Sequence, residues 1–227
     1  MITLVNKIPE INTLSAEMVK INCLFDSYKN DSHVMFWVQN DNKAVISMTD
    51  GNMIIYNISA DMEELKEFVT VLSPVCIFSD MDTLNALGRK PKENINIMCR
   101  KCDISDQTVS DVLSSKELYG LLDVDGLSLP EYPYFAVDYC KRLNNGFANY
   151  FALKEKCAVI TFNSGNKAII NGIASHQKGY GSIALKAIIA KNYNKDLLVC
   201  CRDCVKEFYI KNGFQKLYNA GYWVIEK

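Results

Sequence analysis

The sequence predicts an α/β protein made of two similar halves, and three observations carry that reading. Of its 227 residues, 49% are apolar and 22% charged, enough of the former for a buried core and too few of the latter for a disordered chain. Short runs of β-branched and aromatic residues alternate with stretches of helical period. Two segments also echo each other: DGNMIIYNIS in the first half and SGNKAIINGIAS in the second. Each is the third of three strand-like runs, and each leads into helix, strand, helix. A duplicated β-β-β-α-β-α unit follows.

In the first half, residues 15–28 read as a helix. Three strands follow, VMFWVQN, KAVISM and NMIIYNIS, separated by the turn-forming Asp41-Asn42 and Asp50-Gly51-Asn52. In DMEELKEFVTVL, Met62, Leu65, Val69 and Leu72 fall on one helical face. Asp61 and Glu64 have the spacing that satisfies free amides at a helix start. PVCIFSD is a strand, and a short helix runs to about Gly88. The charged, proline-containing GRKPKEN, residues 88–94, reads as a linker between a smaller domain over 1–90 and a larger one over 95–227.

In the second half, NINIMCRKC reads as a strand, and residues 110–122 and 134–143 as helices. NYFALKEK, CAVITFN and KAIINGIAS are strands, the last two joined by a turn at Asn163 to Asn166. Gly172 inside the third marks a bulge. A helix with Leu185, Ile188 and Ile189 on one side follows HQKGYGS. DLLVCC is a buried strand, and Asp203 opens a helix carrying Val205, Phe208 and Tyr209. Gly213 fits just past its end, and FQKLYNAGYWVIEK reads as a hairpin turning at Asn219 to Gly221.

Composition excludes several function classes. The 25 basic and 26 acidic residues nearly cancel, which disfavours nucleic acid as a partner. No apolar run approaches a membrane span, and the first residues lack a basic start before an apolar stretch. The expectation is a cytoplasmic protein with reduced thiols. The nine cysteines include Cys99-Arg-Lys-Cys102 and Cys201-Arg-Asp-Cys204. Two such pairs could make a four-thiolate zinc site, but with three strands expected between them no metal is predicted. No H-x-x-x-H, G-x-S-x-G or G-x-x-x-x-G-K-S/T occurs to anchor a zinc-protease, serine-hydrolase or nucleotide-triphosphatase reading.

The junction that carries chemistry is Lys178-Gly179-Tyr180-Gly181-Ser182, between a strand and a helix. A helix start offers unpaired N–H groups and partial positive charge. Glycines let an anion approach that backbone closely, and Lys178 adds a cation. A phosphate or pyrophosphate is the matching ligand. In the first half, Asp61, Glu63 and Glu64 at the same junction would repel one.

Over residues 95–227 the chain resembles the GNAT N-acetyltransferase superfamily. GIASHQKGYGSIAL is similar to that family's pyrophosphate-binding signature, Q/R-x-x-G-x-G/A, and FYIKNGF to its Y-x-x-x-G-F element. His176 stands at the signature's first position, and Arg202 where an Asn is often found seven residues before the tyrosine. The resemblance implies the acyl-CoA N-acyltransferase fold with a mixed central sheet, preceded by a smaller, degenerate GNAT-like α+β unit. It implies acetyl-CoA as co-substrate, lying between the strand ending at Ser175 and LLVCC. Ile173, Ala174 and Ser175 would pair with its pantetheine arm. Gln177, Lys178, Gly179, Tyr180, Gly181 and Ser182 would hold its pyrophosphate. An amine on a small molecule or peptide would attack the thioester, and Tyr209 would protonate the leaving thiolate. A phenol, with pKa near ~10, keeps its proton at neutral pH and can donate it. Glu155, Asp138 and His176 are candidates for the base that frees the amine, and LPEYPYF, residues 129–135, for the acceptor wall. An acyl-CoA sensor without turnover and a pure interaction scaffold are the alternatives, and a homodimer is left open.

Overall fold

The structure is a computed structural model, and it describes residues 1–105 and 109–225. In chain order the elements are β1 (Ile2–Leu4), α1 (Ala16–Tyr28), β2 (Val34–Gln39), β3 (Ala44–Thr49), β4 (Asn52–Asn57), α2 (Met62–Leu72), β5 (Cys76–Asp80), α3 (Met81–Ala86) and β6 (Glu93–Lys101). They continue with α4 (Ser115–Leu122), α5 (Tyr132–Asn144), β7 (Ala148–Leu153), β8 (Cys157–Ser164), β9 (Lys167–Ser175), α6 (Tyr180–Lys191), β10 (Asp196–Cys201), α7 (Asp203–Lys211) and β11 (Gln215–Val224). The chain forms two compact units that are not consecutive stretches of sequence. The first holds Met1–Met98, Cys200–Glu207 and the residues from Lys216 onward; the second holds Cys99–Val199 and Phe208–Gln215.

In the first unit the strand order is β1-β2-β3-β4-β5-β11-β6. β2, β3 and β4 form an antiparallel meander, and β4 then pairs parallel with β5 across α2. Asp50 and Gly51 both take positive φ, as a two-residue hairpin turn requires. Side-chain alternation builds two cores. Phe36 and Val45 pack with Met18 and Ile21 of α1, while their neighbours Trp37 and Ile46 pack with Leu65 and Val69 of α2. β11, last in the chain, pairs antiparallel with β5 from Ala220↔Asp80 to Val224↔Cys76. The hairpin expected at residues 219–221 is therefore one continuous strand. Gly221 serves close packing instead: a Cβ there would sit 2.8 Å from Pro91 Cβ.

The first turn of α1 carries a buried polar cluster that the sequence pattern did not reveal. Glu17 is 2% exposed. Its Oε2 accepts from Ser15 Oγ at 2.5 Å and from the Tyr218 hydroxyl. Its Oε1 is buried without a partner among the described residues. Burial raises the Glu17 pKa above the usual carboxylate value, more than these hydroxyl bonds lower it. One turn on, Lys20 Nζ donates to the Tyr222 hydroxyl at 3.1 Å and lies 4.6 Å from the Phe78 ring centre.

In the second unit the order is β6-β10-β9-β8-β7. β7, β8 and β9 again form an antiparallel meander, and β9 pairs parallel with β10 across α6. The second half thus repeats the β-β-β-α-β-α path of the first. α4 begins at Ser115, later than residue 110, because Ser114 and Glu117 form a reciprocal capping box that fixes the start. Leu118 and Leu122 of α4 and Phe135 and Tyr139 of α5 cover Ala158, Ile160 and Ala174.

β10 is the immediate neighbour of β6, so the three strands expected between the C-x-x-C pairs are not there. Cys102 exchanges backbone bonds with Asn194 and Lys195, whereas Cys201 Sγ lies 3.5 Å from Met98 Sδ. Sequence order hid this because β6, first in the second half, closes against its penultimate strand. Among the described residues no group of three or more His, Cys, Asp or Glu side chains could hold a metal ion. None of the described helices is long and apolar enough to cross a membrane.

Candidate active site

The site is built where β9 runs into α6. The parallel ladder between β10 and β9 begins at Asp196↔Lys167 and ends at Val199↔Ile170, but β9 continues to Ser175. Its other edge stays paired with β8 as far as Cys157↔Ser175. Beyond Ile170, then, one edge of β9 presents main-chain groups with no partner strand among the described residues. The β8 register passes from Ile160↔Gly172 to Thr161↔Ile170, so Asn171 is the extra residue of a bulge. Gly172, beside it, is where Leu127 crosses: a Cβ there would lie 3.2 Å from Leu127 Cδ2.

The turn that follows keeps its amides available. Gly179 caps α6 with φ 90°, a left-handed conformation that glycine adopts without a Cβ clash. No side chain caps this helix. The Tyr180 amide donates to Gln177 O at 3.2 Å, and the His176 amide to Lys156 O at 2.8 Å. Among the described residues the amides of Lys178, Gly179, Gly181 and Ser182 have no protein acceptor. Their residues line an open pocket of about 390 Å³, together with Ser175, His176, Gln177 and Phe208. Bare amides at a helix start with exposed Lys178 beside them make an anion site.

The corresponding place in the first unit is closed twice over. The Asp61 carboxylate accepts from the amides of Glu63 and Glu64, filling the helix start from within. The β4–β5 ladder stops at Ile54↔Phe78, and there Ser79 Oγ donates to Ile55 O at 2.8 Å. A larger concavity of about 560 Å³ exists in the first unit, between residues 3–10 and 38–42. It lies at the short 3-10 turn over Asn40–Asn42, not at the start of an α-helix, and carries acidic as well as basic side chains.

The remaining sequence candidates fall as follows. Ser175 is exposed and its Oγ donates to Gln177 O at 2.7 Å, tightening the turn; Ile173 is half-buried and Ala174 buried in β9. His176 turns its Nε2 to Leu121 O at 2.9 Å, so its ring is engaged with α4. Glu155 takes positive φ in the β7–β8 turn, Asp138 pairs with Arg142 at 2.7 Å, and Arg202 pairs with Glu93 at 2.5 Å. Tyr209 is 4% exposed, its ring 5.1 Å from that of Phe208 and 5.4 Å from that of Phe214. Its carbonyl accepts from Phe214 N at 3.0 Å across the Gly213 turn, where φ is 82°. The pocket wall itself is Phe208, the residue before Tyr209 on α7, for which the sequence gives no role. Lys156 was also missed; its Nζ stands 5.1 Å from the Tyr180 ring centre, a second cation at this turn. The β7–β8 turn brings it there, a long-range placement that a local motif does not encode.

No family model and no curated protein matches the sequence. Solved structures do match. A GNAT-family acetyltransferase from Colwellia psychrerythraea aligns over 100% of both chains, with a TM-score of 0.53 and 12% identity. A GCN5-related N-acetyltransferase from Sphaerobacter thermophilus aligns over 84% of this chain and 79% of its own, with a TM-score of 0.54 and 10% identity. A tandem GNAT protein from the clavulanic acid biosynthesis pathway aligns over 90% of this chain and 87% of its own, with a TM-score of 0.52 and 8% identity. These likenesses show the fold: the chain has the architecture of the GNAT acetyltransferases.

Proposed function

We propose that this chain, with its GNAT fold, is an acyltransferase that moves an acetyl group from acetyl-CoA to an amine on a small molecule or peptide. The observation that carries the reading is the uncapped start of α6 beside the unpaired edge of β9. A diphosphate needs several convergent N–H donors, and the loop 178–182 offers them. A pantetheine arm carries amides that pair like a strand, and β9 from Ile173 to Ser175 has a free edge for them. The groups present therefore fit the two chemically distinct parts of coenzyme A, in the right order along one strand and helix.

In this reading the amides of Lys178, Gly179, Gly181 and Ser182, with Gln177 and Tyr180 shaping the turn, hold the diphosphate, while Lys178 and Lys156 offset its charge. Ile173 to Ser175 fix the arm, so the thioester is presented in one orientation. The neutral amine attacks the thioester carbonyl, and the C–S bond breaks with its electron pair going to sulfur. Tyr209 then supplies a proton to that thiolate, and the proton lost by the attacking nitrogen passes to water, from which the phenol is restored. The closed junction of the first unit supports one cofactor per chain, with that unit a degenerate copy.

Calorimetry with coenzyme A, followed by thiol release from acetyl-CoA with a panel of amines and peptides, tests the proposal. Expected are one site per chain and amine-dependent release. Binding without release across the panel would leave a sensor, and no binding would overturn the site itself.

A further inference from the structure

All nine cysteines are free thiols, and Cys204 is the only exposed one. It lies in the first turn of α7, three residues after Cys201, which ends β10 and is 4% exposed. Between them the chain passes from strand β10 into helix α7, with Val205 N donating to Arg202 O at 3.2 Å. Cys99-x-x-Cys102 has the same spacing and a different geometry. Cys99 to Lys101 are all in strand β6, so three extended steps put the two Cα atoms ~10 Å apart. That exceeds the ~7 Å a disulfide can bridge. Burial lifts the Cys99 and Cys102 thiols to about 11 and about 12. Cys201 is likewise pushed up to about 11, mainly by burial, with Cys200, Asp203 and Cys204 adding to it and Lys206 opposing. A solvent-facing thiol followed inward by a protected one, at a strand-to-helix turn, is the arrangement of a dithiol exchange pair.

We propose that Cys201 and Cys204 form a reversible redox pair, with Cys204 the attacking thiol and Cys201 the resolving one, whose oxidant is a low-molecular-weight disulfide. The Cys204 thiolate attacks one sulfur of the small disulfide and expels the other half as a thiolate, leaving a mixed disulfide. Cys201 gives its proton to solvent and attacks Cys204 Sγ, forming the internal disulfide and expelling the second thiolate. Two protein thiols are oxidised and one small disulfide is reduced to two thiols. The bond replaces the contact of Cys201 Sγ with Met98 Sδ and ties the first turn of α7 to the end of β10. Phe208, one turn after Cys204, lines the α6 pocket, so α7 passes the state of the pair to that wall.

The full chain, incubated with oxidised glutathione, tests this by peptide mass mapping. Expected is a 201–204 disulfide that dithiothreitol reverses. Cys201→Ser should stop at a glutathione adduct on residue 204, and Cys204→Ser should abolish reaction at both positions. Cys102→Ser should react like wild type. Persistence of the adduct on Cys204 in wild-type protein, with no internal bond, would overturn the pair. For the coupling to α7, coenzyme A is titrated into the reduced and oxidised forms, and a change in Kd of about threefold or more is expected. An internal disulfide with an unchanged Kd would overturn that half. The thiol chemistry is read by mass alone, so it stands or falls apart from the transferase reading.

Discussion

Replacing Gly181 with Ala should move stability and cofactor affinity in opposite directions. Gly181 lies in the first turn of α6 outside the left-handed region, so an L-residue fits its backbone. A Cβ there would meet Phe208 Cε2 and Ser175 Cβ at 3.6 Å each, ordinary contact with no clash. Ala in place of Gly within a helix is worth about 0.5–1 kcal/mol. For a chain of this size that raises Tm by about 1–4 °C. The same methyl lies within contact of Ser175 and Phe208, both walls of the pocket, where in the proposed function a diphosphate oxygen would approach the Gly181 and Ser182 amides. Losing one charge-assisted hydrogen bond costs about 1.5–3 kcal/mol. At 1.4 kcal/mol per factor of ten, that is about a 10- to 150-fold weaker Kd for coenzyme A. Calorimetry and a thermal melt on the same preparation read both quantities. A more stable variant with unchanged Kd would mean that the diphosphate does not rest on these amides.

Tyr209→Phe keeps the ring packing with Phe208 and Phe214, so coenzyme A affinity should hold while turnover falls by about 10²-fold or more; equal turnover across the pH range would remove Tyr209 from the chemistry. Glu17 has its pKa raised by burial, so the folded state favours its protonated form. Its stabilising contribution is fully present below the unfolded value near 4.5 and fades as pH rises through the higher folded one. Glu17→Gln should therefore gain stability relative to wild type between pH 4 and pH 8 in urea melts, and a constant difference would refute the assignment. Asp61→Ala should cost about 1 kcal/mol in the same melts by removing the α2 cap. If it cost nothing, the carboxylate would not be what fills that helix start.

The candidate site was legible because its parts are consecutive. Residues 173–182 are one strand end, one turn and one helix start, and glycine spacing reports backbone geometry directly. The repeat was legible for the same reason: strand alternation and helix period are local patterns, and both halves show them in the same order. Gly172 was read as the bulge, and the bulge falls on its neighbour Asn171. A strand of ten residues over 215–224 was not legible. Gly221 looks like a turn residue in sequence, and only Pro91, Leu84 and the ladder to β5 show that it marks close packing.

By itself, the sequence determined the doubled β-β-β-α-β-α path and the amide-rich start of α6, since both rest on hydrogen-bonding and side-chain periodicities that span only a few residues. The tertiary structure alone decided that β10 lies against β6, that Phe208 forms the pocket wall, and that Glu17 meets Tyr218 from 201 residues away. Those contacts join distant parts of the chain, and they follow from how buried surfaces fit once the sheets are assembled, which no local pattern encodes.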